Sequence, residues 1–152
     1  MGQLLDGIIR GIVDKQTEIY NPVFLYGTPL NTIEAIEKLV ELYSNKQPQA
    51  VINHVVGEHF TISLVRAIKE DRLEQYTKSL SACDLFILEG AEHLGGKMMT
   101  MKEFYGIFDK LWESGKQIVI TGLTTPIKMA CLEPRIRTQL EGGIIYNVDE
   151  NF

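Results

Sequence analysis

Cysteine is scarce in this chain. Cys83 and Cys131 are the only two, neither has a partner at CxxC spacing, and neither stands at metal-ligand spacing with His54, His59 or His93. That pattern gives no support to a disulfide scaffold, a zinc site or a catalytic thiol. Two isolated thiols fit a reducing cytoplasm, where free cysteine behaves as a small hydrophobe. Positive charge is also in deficit: 15 Lys and Arg stand against 20 Asp and Glu, for a net charge of −5. The chain as a whole is therefore no electrostatic partner for nucleic acid. No apolar run is long enough to span a membrane. The apolar N-terminus, MGQLLDGIIRGIVDK, has no basic start and is interrupted by Asp6 and Arg10, which is not the pattern of a signal peptide. Internal repeats, linkers, low-complexity stretches and a GxSxG elbow are all missing, and paired acids such as Glu70-Asp71 or Asp149-Glu150 sit where solvated faces or tails are expected.

What is there is ordinary globular material, with 45% hydrophobic and 23% charged residues over 152 positions. This is the composition and size of one domain, expected over 1–152. Five short apolar runs read as buried strands: PVFLYG (22–27), AVINHVV (50–56), DLFILEG (84–90), KQIVITG (116–122) and GIIYNV (143–148). Helical periodicity separates most of them. Ile36, Leu39, Val40 and Tyr43 share one face; so do Leu64, Val65 and Ile68; so do Phe104, Phe108, Leu111 and Trp112, with Gly115 as a helix stop. The segment 123–142 is expected to hold one or two short helices. Residues 1–19 read as an amphipathic helix resting on the core through Leu4, Leu5, Ile8, Ile9, Ile12 and Val13. Strands this apolar, alternating with helices, predict a parallel sheet covered on both faces, a three-layer α/β sandwich.

In such sheets ligands sit at the carboxyl ends of the strands, which directs attention to the loop after PVFLYG. The stretch YNPVFLYG (20–27) resembles the approach to the phosphate-binding loop of the bacterial replication initiator DnaA. The similarity continues in register through 57–97, 103–121 and 132–145, and extends to the shorter DnaA-like regulator Hda. It covers about 20–148, the core. The resemblance implies an AAA+ core of P-loop NTPase type with strand order 5-1-4-3-2. It also implies that the lid and the duplex-reading domain are absent from a sequence that stops at Phe152.

The same resemblance implies a degenerate nucleotide site. A GxxxxGK[ST] loop works by converging backbone N–H groups on phosphates, with a lysine for charge and a hydroxyl for Mg²⁺. Here the loop reads GTPLNTIEAI (27–36): Gly27 starts it, Thr28 follows, Pro29 removes a donor N–H, and no lysine appears before Lys38. One reading is a weak anion site at a helix N-terminus. The favoured one is a plain strand-to-helix turn in which Asn31 caps and Glu34 completes a capping box. The two acids expected after the third strand fall at Glu89 and Gly90, and glycine cannot position an attacking water. Glu92, close by, is expected at the surface. The γ-phosphate sensor falls at Leu123 and the arginine finger at Gln139, neither of which can do that chemistry. No catalytic residues, metal or cofactor are expected, and no ATP or ADP binding.

Three functions follow. The first is a catalytically inactive interaction module that regulates replication initiation by binding DnaA or another replication protein, or by self-association. Arg135 and Arg137 are its candidate interface residues, and Gly7 and Gly11 offer a close helix-packing surface. The second is single-stranded DNA binding through Arg66, Lys69, Arg72 and Lys97, with Lys78 nearby, although Glu58, Glu70, Asp71 and Glu74 bring the local charge near zero. The third is a remnant that still folds.

Overall fold

The computed structural model describes residues 2–129 and 132–150; Cys131 lies outside them. The five expected strands are all present: β1 (Val23–Tyr26), β2 (Ile52–Val56), β3 (Leu85–Glu89), β4 (Gln117–Gly122) and β5 (Ile144–Asn147). They form one sheet in the order β2-β3-β4-β1-β5, with every pairing parallel. This is the order expected from the resemblance, read from the other edge.

The strands divide their side chains between two cores, as the period of two requires. Val23, Leu25, Ile87 and Val119 face the helices α1 (Gln3–Val13) and α2 (Pro29–Lys46). Phe24, Phe86, Leu88, Ile118 and Ile120 face the opposite way. They meet α3 (Gly57–Lys69), α5 (Met98–Glu113) and α6 (Pro134–Glu141), with α4 (Leu73–Ser81) packed at the rim. On that side Phe104 is the hub, its ring 6.2 Å from Phe60, 6.5 Å from Phe86 and 6.2 Å from Phe108. On the other side Lys38 pairs with Asp6 at 2.9 Å and Lys46 pairs with Asp14. Both pairs are 32 residues apart in sequence, so α1 and α2 run parallel.

Several details differ from the sequence reading. The first turn of α2 begins earlier than the capping box implies, because Pro29 pre-sets the dihedral of the first helical residue and Thr28 becomes the cap. Asn31 is already inside the helix and its side chain is engaged elsewhere. On α3 the buried face is Phe60, Leu64 and Ala67. Val65 and Ile68 face solvent, because the helix begins at Gly57 and its phase is set by Phe60. Ile107 takes the place expected of Trp112, and Leu4 is 66% exposed at the outer edge of α1. Gly7 and Gly11 do not act as a pair. A Cβ at Gly11 would lie 2.3 Å from the Tyr20 ring, whereas nothing lies within 4 Å of one at Gly7. Gly115 does stop α5, in left-handed backbone.

Candidate functional site

The carboxyl ends of β2, β3 and β4 converge with the start of α2 on a cleft lined by Ile33, Val56, Glu89, Gly90, Thr121 and Leu123. This is where the sequence placed the nucleotide positions. The Thr28, Gly90 and Leu123 N–H groups and the Glu89 carboxylate there are already engaged within the chain.

The loop after β1 is closed by Asp149. Its carboxylate accepts the Thr28 N–H through both oxygens (3.1 and 2.9 Å), the Thr28 hydroxyl at 3.0 Å and the Asn31 side-chain amide at 2.8 Å. Asn31, Thr28 N–H and Thr28 O–H together hold this carboxyl below the ordinary range. Gly27 makes the approach feasible. Its φ is +144°, and a Cβ there would sit 2.9 Å from the Asp149 carboxyl atoms. Lys38, the first lysine after the loop, is committed to Asp6 on α1.

At the end of β3, Glu89 Oε2 lies 2.8 Å from His54 Nε2 on the neighbouring edge strand. Gly90 adopts left-handed backbone at φ +81°, a conformation that disfavours a branched replacement, and its N–H is taken by the buried Thr121 hydroxyl at 3.1 Å. Glu92 is not the free surface acid expected. It is half-buried and accepts the Leu123 N–H at 3.0 Å, tying the β3 exit to the β4 exit. The Leu123 side chain is 52% exposed.

The remaining sequence-derived residues lie elsewhere. Gln139 is half-buried on α6, its Oε1 without a partner among the described residues, as is Arg137 Nε. Arg135 lies over the Tyr105 ring at 5.3 Å from its centroid, with Glu133 at 3.5 Å. Arg66 and Lys69 project from the exposed side of α3, and Arg72 pairs with Glu70 at 2.6 Å. Lys97 precedes α5 and belongs to a different element. Among the described residues no cluster of His, Cys, Asp or Glu could hold a metal, and no helix is long and apolar enough to cross a membrane. Asp149 is the residue that sequence reasoning passed over, dismissing it as part of a solvated acidic tail.

The family description "Bacterial DnaA ATPase domain" matches residues 5–147. The chain belongs to the bacterial DnaA ATPase-domain family. It is 30% identical over 138 residues to the chromosomal replication initiator protein DnaA of Deinococcus radiodurans, covering 90% of this chain and 30% of that protein. A second DnaA, from Thermus thermophilus, is 29% identical over the same length and is covered to 32%. The chain thus spans about a third of the length of these relatives. Among solved structures, domain III of the Thermotoga maritima DnaA superposes with a TM-score of 0.88 at 22% identity, over 97% of this chain and 63% of that one. At such identity the match speaks for the DnaA fold alone.

Proposed function

We propose that this DnaA-family core is a nucleotide-independent interaction module that regulates replication initiation by docking on DnaA or another replication protein. The observation that carries the reading is the internal satisfaction of the nucleotide site. Thr28 is taken by Asp149, Glu89 by His54, Gly90 by Thr121 and Leu123 by Glu92. A triphosphate would meet no lysine, one fewer N–H donor at Pro29 and a carboxylate already in the loop. Such a site gives no ATP turnover. The rim of the cleft supports a docking role instead: Leu30 is 72% exposed, Ile33 45% and Leu123 52%, and apolar side chains gathered in this way mark interaction surfaces. Residues 1–152 would act as one unit, the 1–19 segment riding on the 20–148 core, with Arg135 and Arg137 at the junction.

Two measurements test this. Excess Mg-ATP should leave the melting temperature unchanged, because stabilisation follows RT ln(1 + [L]/Kd). The source organism's DnaA should be retained on the immobilised protein and lost with Arg135→Ala and Arg137→Ala combined. Stabilisation by several degrees, or failure to retain any replication protein, would sink the proposal.

A second reading rests on α3, where Arg66 and Lys69 share an exposed surface with Ile62, Val65 and Ile68. One DnaA of the same fold is described as bound to AMPPCP and single-stranded DNA (TM-score 0.84, 23% identity, 95% of this chain and 45% of that one). Binding of this kind would weaken steeply with salt, and a flat salt response would exclude it.

A further inference from the structure

Asp149 stands out because its position is not set by the loop it occupies. The β5 ladder fixes it: Val148 N–H donates to Tyr26 O at 2.9 Å, extending the pairing of β5 with β1, and Asp149 N–H turns back to Asn147 Oδ1 at 2.9 Å. The strand thereby aims the carboxylate at the start of α2, where it meets Asn31 across 118 residues of sequence. There it meets one backbone N–H, one hydroxyl and one amide, at the positive end of an 18-residue helix. Gly27 has no side chain to obstruct it. No lysine or arginine is paired with Asp149 among the described residues. Its partners are the very donors that a ligand anion would need.

We propose that Asp149 is a built-in anion: an autoinhibitory contact in which the chain's own carboxylate fills the β1–α2 loop and excludes phosphate groups from it. A phosphate entering this loop would have to strip the Thr28 and Asn31 donors from Asp149. It would then face the displaced carboxylate, still tethered by β5 at the protein surface, as a like charge close by. The same contact fixes the direction in which the chain leaves β5, so the segment after Asn147 is oriented by the protein itself rather than by a bound nucleotide. This inference deepens the nucleotide-independent reading above and rests on it for its functional meaning.

The test is an amide NMR titration of wild type, Asp149→Ala and Asp149→Asn with inorganic pyrophosphate, following the Thr28 backbone and Asn31 side-chain resonances. Millimolar pyrophosphate should leave the wild-type resonances in place. In both variants they should move saturably, with affinity at least about tenfold above any wild-type response. Asp149→Asn keeps the shape of the side chain, which guards against loss of fold in the alanine variant. In wild type the Thr28 amide shift should also follow protonation of Asp149. If wild type and variants respond alike, whether all move or none does, or if the Thr28 amide is blind to Asp149, the proposal fails. Such a failure leaves capture of a replication protein untouched. Stabilisation by Mg-ATP with the Thr28–Asp149 coupling intact would instead sink the earlier reading alone.

Discussion

Glu89 Oε2 and His54 Nε2 sit 2.8 Å apart across the pairing of β2 with β3, the histidine side chain 37% exposed and the glutamate 17%. The acid at the end of β3 is here paired with a side chain of the edge strand. Partial exposure limits the value of the pair, so His54→Ala should cost no more than about 1 kcal/mol in urea unfolding. It should also leave ATP hydrolysis at background, since freeing Glu89 restores neither a lysine nor a second acid.

Gly27→Ala should be more damaging than its half-buried setting suggests. The new Cβ would combine a strained φ with contact on the Asp149 carboxyl. The expected loss is about 1–3 kcal/mol in chemical denaturation. Pairing it with Asp149→Ala should recover part of that loss, because the steric share disappears.

Acid should weaken the fold through Asp149 and Asp6, both held below their ordinary value of 3.8. For Asp149 the first cause is the Asn31 amide; for Asp6 it is the Lys38 ammonium. Since the folded value lies under the unfolded one, each contributes stability that is present above 3.8 and lost as pH falls through the folded value. Asp149→Asn should therefore flatten the acid limb of stability against pH, which equilibrium unfolding at a series of pH values would measure.

Cys83 behaves in the opposite sense. Burial first, and then the charge of Asp84, push its thiol up to about 11 from 9.0. The neutral thiol is the form that the fold favours. Its contribution is complete below pH 9.0 and lost as pH rises toward about 11. Alkylation at mild alkaline pH, read by peptide mapping, should leave Cys83 unlabelled until the protein is unfolded.

The phenylalanine cluster should carry the largest single cost. Phe104→Ala would empty the space between Phe60, Phe86 and Phe108, for a loss of about 3–5 kcal/mol. Measured urea midpoints should drop accordingly, against a total stability of about 5–15 kcal/mol for a domain.

The sheet was legible because buried parallel strands are apolar on both faces, as FILE at 86–89 and IVIT at 118–121 show. The residue types at Pro29, Gly90 and Leu123 can be read from the sequence, but the contacts made around them cannot. Asp149 reaches Thr28 across 121 residues, and no local pattern marks a carboxylate that will bind a backbone N–H so distant. Glu92 was hidden for the same reason: its partner is the Leu123 N–H, and backbone donors have no signature in sequence. Asn31 misled because Asn followed by Glu fits a capping box, while Pro29 had already started the helix.

The position of β1 bears on how the chain reaches this state. Val23 pairs with Val119 on one side and Ile144 on the other. The strand made first is thus flanked by the two made last. During synthesis β1 leaves the ribosome with neither neighbour in existence, and α1 and α2 are the partners available to shield Val23 and Leu25. Closing such distant pairings is entropically slow. The centre of the sheet is consequently completed on both sides of β1 only as the last strand arrives. Asp149, two residues beyond that strand, is set in place by the closing step of folding.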